Sequence, residues 1–268
     1  MKIAIVTMED PVFTVDFIKS IVKNRPRDIC GILIVDGGRM VISKKKSRLA
    51  YLLSLLLIMG PKFYIASAFK RVTYRIRKSL SARIQRFESL PLEAFARERN
   101  IDVIRVQRPD DPVALDWLND RAPDVIVHQS QNILKRTFLD IPNIGVVNRH
   151  NALLPHNRGR LTPFWVLYRN ESETGVSIHW VTEKIDEGEI IYQERFSVDP
   201  GETFESLVRK NYTYAERAIQ TALDLIESGK KWEPGPDLPA ASYNSTPSME
   251  DAMRYRMKRI KKSICRKY

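Results

Sequence analysis

Two cysteines in 268 residues, Cys30 and Cys265, leave no disulfide framework to expect. That suits a reducing cytoplasm, in which a packed core does the work of cross-links. No signal-like leader is read either, since Met1 to Val6 has the composition of a buried strand and the mature chain is expected to start there. Acidic residues are missing from 37–87, which hold thirteen Lys and Arg, and from 252–268, which hold eight. Outside these two segments the chain carries 23 bases against 32 acids, so a net charge of +12 conceals an acidic body with two basic attachments. Glycine is absent from Glu9-Asp10-Pro11-Val12-Phe13, the turn after the first strand, and two carboxylates stand there instead. This excludes a phosphate cradle or a Gly-x-Gly-x-x-Gly dinucleotide turn at that place. Long hydrophobic runs are lacking as well: Leu49 to Pro61 is uncharged for 13 residues, too few to span a bilayer. The four histidines, His128, His150, His156 and His179, show no i, i+4 pair, so no metal is expected.

What is present reads as an α/β chain: a Rossmann-like, mostly parallel sheet with helices on both faces, a basic helical insertion at 39–90 and a short C-terminal extension. Strands are expected over Lys2–Met8, Ile29–Val35, Asp102–Val106, Asp124–Val127 and from Gly145, then over Gly175–Trp180 and Glu189–Val198. Helices are expected behind the first strand with Val15, Ile18, Ile21 and Val22 inward, over 111–121 with Val113, Leu115 and Leu118 inward, and over 205–227. Within the insertion Val72, Ile76, Leu80, Ile84 and Phe87 recur at helical spacing. Its two readings are a hairpin packed on the body with its bases solvated, and an interfacial element drawn to anionic lipid. Met253, Met257, Ile260 and Ile264 mark one face of a basic terminal helix, after a proline-rich stretch over 232–247 draped on the body.

The chemistry gathers between Gly145 and Gly188. Asn148 and His150 stand two apart, so on a strand both leave one face about 7 Å apart. With the carboxylate of Asp186 they offer an amide, an imidazole and a base. Acyl transfer to an amine needs a stabilised oxyanion, a proton acceptor for the nucleophile and a proton donor for the leaving nitrogen. No activated Ser or Cys is required, because the amine is itself the nucleophile. Taken singly, Asn-x-His is an ordinary strand end and Asp-x-Gly an ordinary turn.

In order, Asn148-x-His150, Leu154-Pro155, Arg158-Gly159, Thr174-Gly175-Val176, His179 and Asp186-x-Gly188 resemble the signature of the folate-dependent formyltransferases. The likeness runs from Met1 to about Gly229, giving a catalytic domain at 1–229 and an extension at 230–268. It is nearer to the enzymes that formylate nucleotide-linked amino sugars than to the purine-pathway member, whose glycine-rich phosphate loop is missing here. The resemblance implies a co-substrate, 10-formyltetrahydrofolate, and an amine acceptor belonging to surface polysaccharide synthesis. It implies Asn148 on the formyl oxygen, His150 in proton transfer or oxyanion stabilisation, Asp186 orienting His150 or relaying the proton, and His179 behind them. It places folate against His128, Gln129, Ser130, Gln131, Lys184 and Ile185, where the family's usual glycine or tyrosine is absent. The acceptor is placed against Asp10, Pro155, Arg158, Gly159 and Arg160.

Two alternatives stand beside this expectation. One is a methionyl-tRNA formyltransferase-like enzyme, although no RNA-binding module accompanies the charge and a nucleic-acid partner is not expected. The other is a catalytically silent protein held at an anionic membrane surface by 39–90 and 252–268, peripheral to the inner face.

Overall fold

Covering both faces of a parallel sheet requires continuous apolar strands, and the first strand, β1 (Ile3–Thr7), is buried at every position. The computed structural model describes residues 1–37, 48–81, 91–233 and 240–265. Behind β1, α1 (Thr14–Asn24) buries Val15, Phe17, Ile18, Ile21 and Val22, as the spacing predicts, and β2 (Ile29–Val35) returns parallel to β1. The chain then leaves the sheet for α2 (Arg48–Met59) and α3 (Pro61–Ser81). Gly60, at φ +79°, and Pro61 bend this pair by 115°.

The sheet resumes through α4 (Leu92–Arg97), β3 (Val103–Val106), α5 (Pro112–Arg121), β4 (Val125–Gln129), α6 (Arg136–Leu139) and β5 (Gly145–His150). A two-residue strand β6 (Arg158–Gly159), α7 (Thr162–Arg169), β7 (Glu173–Trp180), β8 (Ile190–Ser197) and the long α8 (Phe204–Ser228) follow. The last elements are β9 (Tyr243–Asn244), paired with β6, and α9 (Met249–Cys265). Seven strands form the main sheet in the order β3-β2-β1-β4-β5-β7-β8. The first five are parallel and the last two antiparallel. One apolar layer joins the sheet to α1, α4 and α8, the other to α5 and α6. This is the Rossmann-like architecture, with its helical insertion, that the sequence predicts.

One helix face differs from expectation, and two that the spacing left open take a definite side. In α5, Val113 is exposed and Ala114 is buried with Leu118, a rotation that sets the small residue against the sheet. In α9, Ala252 and Tyr255 are buried while Met253, Met257 and Ile260 face outward. In α3, Val72, Ile76 and Leu80 are exposed and the polar side of the helix faces the body. The reason is electrostatic: Lys70 meets Asp16 at 3.3 Å, Arg71 meets Asp10 at 3.3 Å, and Lys78 and Tyr74 meet Glu9 at 2.9 and 2.6 Å. Acids of the body thus fix the rotation of the helix, which a solvated basic face would not allow. Gly38, Arg39, Lys44, Lys45, Lys46, Arg83, Ile84, Arg86, Phe87 and the side chain of Ile264 lie outside the described residues.

Candidate active site

At the carboxyl ends of β1, β4 and β5 a cleft of about 900 Å³ opens, where a doubly wound sheet offers loop backbone and strand ends to a ligand. Strand pairing builds its floor. His128 on β4 lies opposite Asn148 on β5, which lies opposite His179 on β7, so three polar side chains share one rung. His150, two residues beyond Asn148, projects from the same face.

Asn148 is held from both sides. Its Oδ1 accepts from Gln129 Nε2 at 3.1 Å, and its Nδ2 lies 3.3 Å from His179 Nε2. His179 Nδ1 is 2.9 Å from the Trp180 carbonyl, which can only accept, so Nδ1 carries the proton and Nε2 accepts from Asn148. One amide hydrogen of Asn148 then remains for a ligand. Burial, reinforced by the neighbouring His150, holds His179 well below the usual histidine range. Burial also pushes His128 down to about 4, with His179 adding to the effect; its Nε2 is 2.7 Å from Ser130 Oγ. Both rings are therefore neutral at neutral pH.

His150 is 7% exposed and donates Nε2–H to the Asn157 carbonyl at 2.8 Å. Its Nδ1 faces Asp186 Oδ2 at 3.5 Å. Asp186 stands between the rings, with Oδ1 3.7 Å from His179 Nε2, and its Oδ2 accepts the Gly159 N–H at 2.9 Å. Asp186 adopts φ +52°, a left-handed conformation uncommon for a side-chain-bearing residue and found where surrounding contacts impose it. Gly159 is at φ +96°, and a Cβ there would overlap the Asn244 carbonyl. Gly159→Ala is accordingly expected to cost about 1–3 kcal/mol of stability and to lower turnover through displacement of Asp186. Urea denaturation beside an activity assay checks both.

The cleft wall includes Asn148, His150, His179 and Asp186, together with His128, Gln129, Ser130, Gln131, Lys184 and Ile185. Asp10, Gly159 and Arg160 also line it, whereas Pro155 and Arg158 do not. Arg158 pairs instead with Glu187 at 2.5 Å, and Pro155 follows a cis peptide bond and takes the Ser242 N–H on its carbonyl at 3.2 Å. Among the described residues no group of three His, Cys, Asp or Glu is arranged to hold a metal ion.

A family model described as formyl transferase matches residues 77–223, more than half of the chain. The chain belongs to the formyl transferase family. Among curated relatives, a methionyl-tRNA formyltransferase of Geobacter sulfurreducens is 32% identical over 141 residues, covering 52% of this chain and 44% of that protein. One of Thermotoga maritima is 32% identical over 140 residues, 52% of this chain and 45% of that protein. The chain spans about half the length of the curated relatives it matches. Among solved structures, phosphoribosylglycinamide formyltransferase of Bacillus halodurans superposes with a TM-score of 0.58 at 18% identity, over 85% of this chain and 96% of that one. An N-formyltransferase of Helicobacter canadensis in complex with folinic acid and dTDP-3-aminofucose gives 0.56 at 18% identity, over 96% of this chain and 80% of that one.

The chain also contains site residues that the sequence leaves unmarked. Arg149, 8% exposed, donates Nε to Gln129 Oε1 at 3.0 Å and lies 4.2 Å from the Tyr212 ring centre. It thereby orients the amide that orients Asn148. Asn157, 1% exposed, offers its carbonyl to His150 and takes Asn244 and Arg169 on Oδ1, each at 2.7 Å. Nothing in the local sequence marks either residue, because their partners lie up to 87 positions away.

Proposed function

We propose that this chain transfers a formyl group to the primary amine of a nucleotide-linked amino sugar, with 10-formyltetrahydrofolate as donor. The observation that carries the reading is the Asn148–His150–Asp186 group, whose members all face one cleft. For the donor, Leu134, Val181 and Ile185 supply apolar walls beside residues 129–133 and 182–184. A slot with apolar walls and polar residues at its edges fits a flat heterocycle with many hydrogen-bonding groups. Gln129, Ser130 and Gln131 on one side and Lys184 and Ile185 on the other would hold it there.

Bound 10-formyltetrahydrofolate supplies the formyl carbon. Asn148 presents its remaining Nδ2 hydrogen to the formyl oxygen, where negative charge grows as the amine attacks. His150, its Nε2–H held by the Asn157 carbonyl, keeps Nδ1 toward Asp186 for proton exchange with that carboxylate. Asp186 takes the proton lost by the amine as the new C–N bond forms. That proton is finally returned to the departing donor nitrogen, so the site ends as it began.

The nucleotide sugar is favoured because the Helicobacter canadensis structure, a complex with dTDP-3-aminofucose, matches 96% of this chain. In addition, Arg160 lines the cleft without an ion pair among the described residues, available to a diphosphate. Identities of 28–33% to methionyl-tRNA formyltransferases favour a second reading, with aminoacylated initiator tRNA as acceptor. Calorimetric titration with 5-formyltetrahydrofolate is expected to give a Kd on the order of micromolar. Incubation with the donor and a panel of dTDP- and UDP-amino sugars should add one formyl group to a panel member. Formylation of charged initiator tRNA alone moves the acceptor to the second reading, and absence of folate binding overturns the donor.

A further inference from the structure

An amphipathic helix on a soluble body ordinarily buries its apolar stripe and wets its charged one. Helix α3 is inverted. Ile65, Phe69, Val72, Ile76 and Leu80, spaced 4, 3, 4 and 4, form one stripe that is 39 to 69% exposed. The opposite side carries Tyr74 and Lys78, bonded to the buried carboxylate of Glu9. The inversion is built in, because turning the stripe inward would break those bonds and bring apolar side chains against acids of the body.

The helices beside it repeat the pattern. Leu49, Leu52 and Leu53 are exposed on α2, as are Met253, Met257 and Ile260 on α9, and α2 packs against both α3 and α9. Beneath, Ile58, Phe63, Ala252 and Tyr255 share a core with α7 and α8, so the three helices are anchored to the body. The stripes of α3 and α9 are edged by cations, Arg254 of α9 also pairing with Glu250 at 2.5 Å. At 100° per residue Arg75 and Arg77 fall roughly 100° to either side of the α3 stripe, and Arg254, Arg256 and Lys261 follow the stripe of α9. No acid occurs in α2 or α3.

We propose that the α2–α3 hairpin and α9 form a docking surface for a membrane bearing anionic lipid, with the apolar stripes entering the headgroup boundary and the flanking bases meeting lipid phosphates. Apolar side chains at the centre with long cationic ones at the rim suit that boundary, where the stems of Arg and Lys lie along acyl chains and their heads reach water. A nucleic-acid backbone would call for cations at the centre of the face. Among the described residues no single helix is long and apolar enough to cross a membrane, so the mode is attachment at one leaflet. The hairpin also walls the cleft: Leu52 lies on both the exposed face and the cleft, and Tyr51, Leu55, Met59 and Phe63 line the cleft behind it. Docking therefore sets the mouth of the cleft beside the lipid headgroups.

The test is co-sedimentation of the full chain with vesicles of phosphatidylglycerol and phosphatidylethanolamine, and with vesicles of phosphatidylcholine alone. The expected result is pelleting with the anionic vesicles, weakened but not abolished by high salt, and little with phosphatidylcholine. The triple variant Ile65→Glu, Phe69→Glu, Ile76→Glu should bind at least about tenfold more weakly, with an unchanged melting temperature because all three side chains are exposed. Wild-type protein left in the supernatant with anionic vesicles, or a variant that pellets equally well, overturns the proposal. So does a dimer in light scattering that the variant converts to monomer without any vesicle binding, which would assign the face to a second copy.

Discussion

Asn148→Ala is expected to lower kcat about 10²- to 10³-fold, the usual cost of removing one preorganised donor to a developing oxyanion. Stability should respond far less. The side chain is fixed by Gln129 and His179, and its removal leaves one donor and one acceptor without their partner, at about 1–3 kcal/mol. In a chain of this size each kcal/mol corresponds to roughly 2–4 °C in Tm, so the variant remains folded where the assay is run. Asn148→Asp is the sharper control, because it keeps the shape and replaces the amide donor with a carboxylate that repels the developing charge. Its kcat should be no higher than that of the alanine variant, while the donor hydrogen bond from Gln129 persists. Equal kcat for wild type and either variant, measured with saturating donor and acceptor, would remove Asn148 from the chemistry.

The framework of this site was legible because its parts are local. Apolar runs give β1, β2 and β4, a period of two sets Asn148 and His150 on one face, and the break at Gly60-Pro61 separates two helices. Orientation within the cleft was not legible, since long-range pairs decide it. Arg158 reads as a cleft base until Glu187, 29 positions on, is found to bind it. Gln129 reads as a contact for folate, yet its side chain joins Arg149 to Asn148. The proline-rich stretch gives no period, but Ser242 and Asn244 reach back to fix Arg158, Asn157 and Arg160 of the site loop. The same distinction explains α3: its periodicity showed two faces, and only Asp10, Asp16 and Glu9 determine which one turns inward.

Glu9 is where that choice is enforced, and Glu9→Ala is expected to cost about 3 kcal/mol at neutral pH. Its carboxylate is 6% exposed and receives Tyr74 Oη at 2.6 Å, Lys78 Nζ at 2.9 Å and Arg105. Removing it leaves a phenol and part of two cations without partners in a half-buried place. The loss falls at the lower end of the range for breaking a buried pair, because Lys78 and Arg105 are 33% and 25% exposed and keep Glu93 and Asp36 nearby. Burial pushes the Glu9 carboxyl up, but the hydrogen bonds from Lys78 and Tyr74 and the charge of Arg105 outweigh it, and the net shift is below the ordinary 4.5. With the folded value below the unfolded one, the ionised form stabilises the fold fully above about pH 4.5. That contribution disappears as pH falls through the folded value. Wild type and Glu9→Ala should therefore differ most in denaturation midpoint at neutral pH and converge on acidification below 4.5. Glu9→Gln, which keeps an acceptor for Tyr74 without the charge, should fall between them. Hydrogen exchange localises the effect: loss of Glu9 should speed exchange of the α3 amides before those of β1, because the carboxylate holds the hairpin to a strand whose own residues are packed on both faces. Uniform acceleration across both elements would mean that Glu9 supports the sheet and that the rotation of α3 is set elsewhere.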